Sequence, residues 1–90
     1  MLWDKQGYKV EQIRSNGLAT DPYALRKKID NFASNPDKYS APVASVGNHY
    51  CVFIGYDENG DYLVLNPAKD NVITSLSIDT KIYTQIQFVR

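Results

Sequence analysis

Ninety residues with ten basic and ten acidic side chains, one cysteine and one histidine exclude a good deal. That length allows one domain at most, and the cancelled charge gives no electrostatic attraction to nucleic acid or to an anionic membrane. A lone cysteine excludes an internal disulfide, and one His with one Cys falls short of the three or four ligands of a protein zinc site, so neither metal nor other cofactor is expected. Hydrophobic residues at 43% and charged residues at 22% are ordinary for a soluble globular chain. No apolar run approaches the roughly 18 residues that span a bilayer. Met1-Leu2-Trp3-Asp4 turns polar too soon for a signal peptide.

Tyr8 to Ile13 is a short stretch that reads equally as a strand or as a piece of helix, and Ser15-Asn16-Gly17 breaks it. Asp21-Pro22 is a helix start, with Asp as N-cap and Pro at the first helical position. Leu25, Ile29 and Phe32 follow at helical spacing, with Arg26, Lys27 and Asp30 on other faces, until Asn35-Pro36 stops the helix. Residues 34–41 read as a loop. Pro42 to Val46 predicts a short strand, broken by Gly47-Asn48.

His49 to Tyr56 is apolar on both faces, which predicts a central strand. Asp57-Glu58-Asn59-Gly60 is a turn, and Asp61 to Leu65 is the return strand, stopped at Asn66-Pro67 because proline cannot donate to a ladder. Ala68-Lys69-Asp70-Asn71 is a second turn, and Val72 to Ile78 a further strand. A final strand is read from the alternation of Ile82, Thr84, Ile86 and Phe88 with Tyr83, Gln85, Gln87 and Val89. One main helix followed by a mostly antiparallel sheet of four to five strands is an α+β domain over residues 1–90.

Three residues are candidates for chemistry. His49, the one histidine, stands at the mouth of an apolar strand after Gly47-Asn48, where a general base is exposed at its tip and held by a rigid element. Asn66 closes the return strand, where its amide oxygen can fix the tautomer of an imidazole. Register decides that role. If Tyr56 pairs with Asp61, Asn66 stands opposite Cys51 and diagonal to His49 on one face, and a slip of one residue moves it to the other.

Cys51, two residues after His49, is the only thiol that could act as a nucleophile. Its place inside an apolar strand argues for core packing, since a nucleophile needs exposure and a lowered pKa. Trp3 and the seven tyrosines (Tyr8, Tyr23, Tyr39, Tyr50, Tyr56, Tyr62 and Tyr83) read first as sheet packing, with a peptide-binding surface as the alternative. Asp57, Glu58 and Asp61 read as a solvated turn rather than a calcium site.

Asn48-His49-Tyr50-Cys51-Val52-Phe53-Ile54-Gly55-Tyr56-Asp57 followed by Tyr62-Leu63-Val64-Leu65-Asn66-Pro67-Ala68 resembles the C-terminal half of papain-like cysteine peptidases, the C39 and C39-like families above all. Those families place a histidine before an apolar strand, Gly-Tyr, a short turn, a second apolar strand and then Asp or Asn before Pro. The likeness spans about residues 22–80 and is specific over 48–68. It implies that His49 is the general base and Asn66 the residue that orients it.

The families' nucleophile is a cysteine on a helix well upstream, preceded by a glutamine that helps form the oxyanion hole. Gln6 and Gln12 have no cysteine after them, so that half of the pattern is missing. The resemblance therefore implies a fragment or subunit of a cysteine peptidase that is inactive alone. Its partners would be a peptide or protein, a separate Cys-bearing N-terminal chain, or a second copy of itself. A degenerate, non-catalytic peptide- or protein-binding module is the first alternative. An unrelated small α+β toxin, inhibitor or phage-encoded factor is the second.

Overall fold

The computed structural model describes residues 9–66, 70 and 72–90. Their elements in chain order are β1 (Lys9–Ile13), α1 (Pro22–Ser34), β2 (Val43–Ser45), β3 (Tyr50–Tyr56), β4 (Tyr62–Asn66), β5 (Val72–Leu76) and β6 (Gln85–Val89). All six strands join one antiparallel sheet in the order β1-β6-β2-β3-β4-β5. The α+β class therefore stands, with six strands where the sequence suggested four to five. The extra one comes from Lys9–Ile13, which closes one edge by pairing with β6 along its whole length.

The helix begins where its residues dictate. Asp21 is the N-cap, accepting the Tyr23 N–H at 2.9 Å, and Pro22 occupies the first turn, where its missing N–H costs nothing. Asn35 is the C-cap, and its N–H bonds the Asn31 carbonyl at 2.9 Å. Leu25 and Ile29, four residues apart, are the buried positions that dock on the sheet. They meet Ala44, Cys51, Phe53, Tyr62, Val64 and Ile82 in one core cluster. Burying a side chain of that size stabilises the fold by roughly 1.5–3 kcal/mol.

Strands β2 to β5 form a meander, and β6 then returns to the middle of the sheet between β1 and β2. The β2–β3 hairpin is tight. The Val46 N–H bonds the His49 carbonyl at 2.9 Å around Gly47-Asn48, and Gly47 takes a φ of +83° that an L side chain resists. His49 is consequently a turn residue, and β3 starts one residue later than the sequence suggested.

At the β3–β4 turn, the Asp57 N–H bonds the Asp61 carbonyl at 2.8 Å. Asp57 Oδ1 accepts from the N–H groups of Asn59 and Asp61, and its Oδ2 from the Ser75 hydroxyl. Of the second turn, only Asp70 lies within the described residues, and Pro67 lies outside them.

The alternation in β6 did not by itself say which face is the core. Gln85 and Gln87 face it, both 0% exposed, while Ile86 and Phe88 lie half-buried on the far face. The amides explain the choice. Gln85 Nε2 donates to Thr20 Oγ1 and the Asp21 carbonyl, and Gln87 Nε2 to the carbonyls of Lys28 and Ser40. Both glutamines thus tie the helix and its flanking segments to the sheet, answering backbone groups that a leucine would leave unpaired.

Candidate functional site

The β3–β4 register is the structural fact on which the candidate site turns. At the tip Tyr56 pairs with Tyr62, not Asp61, the one-residue slip that would carry Asn66 to the wrong face. A β-bulge between Phe53 and Gly55 then reverses the slip. Beyond it Phe53 pairs with Val64 and Val52 with Leu65, so the next step along the register sets Asn66 opposite Cys51. A cross-strand row follows: Ile13 pairs with Gln85, Gln85 with Ala44, and Ala44 with Cys51. Asn66 comes next and pairs with Val72 on β5. This row lies on the side of the sheet that carries α1.

His49 stands just past this row, in the turn that leads into β3. Its side chain is half-buried, and its Nδ1 lies 3.4 Å from Asn48 Oδ1. The amide oxygen beside the imidazole is thus Asn48's. Among the described residues no hydrogen bond joins His49 to Asn66, although both stand at the same end of the β3–β4 hairpin. Sequence reasoning passed over Asn48, whose only signal was its adjacency to the histidine.

Cys51 is 1% exposed within the core cluster, against Leu25, Ile29 and Phe53 in the same group. Burial pushes its thiol above the ordinary 9.0, the opposite of what a nucleophile requires. Cys51 packs; it is not placed to attack. Of the glutamines that precede the helix, Gln12 lies exposed on β1 and Gln6 falls outside the described residues.

Among the described residues no cluster of His, Cys, Asp or Glu could hold a metal ion, and no helix is long and apolar enough to cross a membrane. The acidic tip of the hairpin is committed to its own turn: Asp57 caps it, and Asp61 Oδ1 accepts the Ile78 N–H at 2.9 Å.

The sheet's far face is apolar as well. The register runs a second row across it: Gln12, Ile86, Val43, Val52, Leu65 and Ile73. Ile86, Val43, Val52 and Leu65 are half-buried and Ile73 is 58% exposed. Val10, paired beside this row, is 44% exposed. The single described helix packs against the opposite side. No protein family matches the chain, and neither the curated proteins nor the solved structures gave a match.

Proposed function

We propose that this chain is one half of a papain-like cysteine peptidase site, of the C39-like kind. His49 serves as general base and Asn66 as the residue that orients its imidazole, while the nucleophilic cysteine comes from another segment or chain. The observation that carries the reading is the bulged register, which returns Asn66 to the row beside Cys51 at the end of the hairpin where His49 stands. At 3.4 Å the His49–Asn48 contact is long and weak, so it does little to hold the imidazole where it is. In the assembled form the imidazole leaves Asn48 for Asn66.

The chain alone hydrolyses nothing, because acyl transfer needs a nucleophile and the one thiol is buried. The test is reconstitution with the segment encoded upstream, or with a neighbouring chain that carries a glutamine followed by a helical cysteine. Thiol-dependent cleavage of a peptide substrate is expected. His49→Ala should abolish it, Asn66→Ala should reduce it on the order of ten- to a hundredfold, and Cys51→Ser should leave it intact. Turnover by the isolated chain that survives His49→Ala would overturn the proposal.

The non-catalytic peptide- or protein-binding alternative is favoured by one feature, the contact of His49 with Asn48 rather than Asn66. It predicts a partner that binds equally well to the His49→Ala protein and a reconstituted assembly without turnover.

A further inference from the structure

The opposite end of the same hairpin carries a recess of about 280 Å³, lined by Pro22, Tyr23, Arg26, Tyr56, Tyr62 and Ile78. Its aromatic part is rigid. Tyr62 is 2% exposed and meets Phe53 edge-on at 5.1 Å between ring centroids, and Tyr56 lies tilted against Tyr62 at 5.8 Å. Pro22, Tyr23 and Ile78 are exposed apolar or aromatic groups around it. The Arg26 guanidinium stands 5.5 Å from the centre of the Tyr56 ring, and the Lys27 ammonium 5.8 Å from that of Tyr23.

One polar group at this site lacks a partner. The Tyr56 hydroxyl is buried and makes no hydrogen bond among the described residues. Burial of a phenol favours its neutral form, so it keeps a proton to donate. The acidic groups nearby are largely engaged: Asp21 accepts from the Tyr23 N–H and Asp61 from the Ile78 N–H, leaving Asp30 as the exposed carboxylate closest in influence to Tyr56.

We propose that this recess binds the carboxyl terminus of a peptide whose last side chain is apolar or aromatic. Its volume lies just under the roughly 300–1,000 Å³ of sites for drug-sized ligands, which suits one side chain with its carboxylate rather than a nucleotide or a sugar chain. The ring faces of Tyr56 and Tyr62 offer stacking for that side chain. Arg26, an exposed side chain free to reorient, supplies a planar fork for the carboxylate. The Tyr56 hydroxyl, closed to solvent, takes no part, so Arg26 carries the charge recognition. Arg26 in the lining disfavours an amine or another cationic ligand. The site lies six residues along β3 from its His49 end, about 20 Å away at strand rise, and does not depend on the peptidase reading.

The test is an NMR titration of the full chain with N-acetyl-phenylalanine and, separately, with N-acetyl-phenylalaninamide. The acid should shift the amide signals of Tyr23, Arg26, Tyr56, Tyr62 and Ile78 with a dissociation constant on the order of 1 mM, the range open to so small a probe. The amide should bind about tenfold more weakly, as a lost charge-assisted pair requires. Arg26→Gln should bring the acid down to the level of the amide. His49→Ala should leave the titration unchanged, which separates this site from the proposed catalytic one. Equal binding of acid and amide, shifts clustered elsewhere, or no shift up to about 20 mM would overturn the proposal.

Discussion

The two faces of one sheet are built on opposite rules. Beneath α1 the strands present Cys51, Phe53, Tyr62 and Val64, all nearly inaccessible, and β6 adds two glutamines to them. On the far side Val43, Val52, Leu65 and Ile86 form an apolar row that stays half-open, and Val10 and Ile73 are more exposed still. A sheet meant to face water on one side alternates apolar with polar residues. This one places Gln85 and Gln87 beside Val89 on the covered side of β6, and Ile86 and Phe88 on the open side. Hydrophobicity alone therefore does not say which face is the core here. The covered face is identified by what the helix needs from it, including amide donors for the carbonyls of Asp21, Lys28 and Ser40.

The sharpest way to break this comparison is to cut one residue from each face. Phe53→Ala removes a ring that is 0% exposed and sits edge-on to Tyr62, and should cost about 3–5 kcal/mol in denaturant unfolding. Leu65→Gln on the far face should cost no more than about 1 kcal/mol in the isolated chain, because little is buried there. A large stability loss from Leu65→Gln in the isolated chain would show that the far face is already covered.

The parts of the molecule that were legible in the sequence are those with local causes. Asp21-Pro22 marked the start of the helix, and the spacing of Leu25 and Ile29 marked its buried stripe, because capping and helical periodicity act within a few residues. Glycine-bearing turns marked both hairpins. What stayed hidden depends on distant partners. The residues Ile82 to Val89 alternate so evenly in sequence that either face of β6 could have been the core, and the choice rests on carbonyls some 47 to 64 positions away. The relation of Asn66 to Cys51 was anticipated through a pairing of Tyr56 with Asp61 that does not occur. The tip closes one residue differently, around a turn with Gly60 at a φ of +82°, and the bulge at Ile54 cancels that difference. Two departures from the simplest hairpin restore the alignment, and neither leaves a mark in composition.

The glutamines give a smaller, more discriminating test. Gln87→Ala removes donors to the Lys28 and Ser40 carbonyls and should cost about 1–3 kcal/mol, chiefly through the acceptors left unpaired. Gln85→Ala should behave alike, through Thr20 and the Asp21 carbonyl. The Oε1 atoms of both residues are buried and accept nothing among the described residues, so the donors alone carry the effect. If Gln87→Leu were as stable as the parent, the amides would be tolerated passengers, and the covered face would be set by shape and not by hydrogen bonding.

The smallest effect separates the packing thiol from a reactive one. Burial holds the Cys51 pKa above its ordinary 9.0, and those of Tyr56 and Tyr62 above their ordinary 10.0. In each case the folded chain keeps its proton to a higher pH than the unfolded chain. The stability they contribute is present below about pH 9 and falls as pH rises through the folded values, by at most about 1.4 kcal/mol per pH unit for each proton. Lys28 acts in the other sense: burial lowers its pKa from 10.5, so its contribution rises with pH as that value is approached. Cys51→Ser should therefore remove the part of the alkaline loss that begins near pH 9 and leave the later tyrosine part, with unfolding followed across pH 7 to 11. A thiolate nucleophile would give the reverse, a depressed pKa and stability gained as pH rises toward neutrality, together with rapid alkylation of the folded chain. An alkylation rate equal to that of free cysteine at pH 7 would place the thiol outside the core, and Cys51 would then have to be weighed as the missing third member of the site.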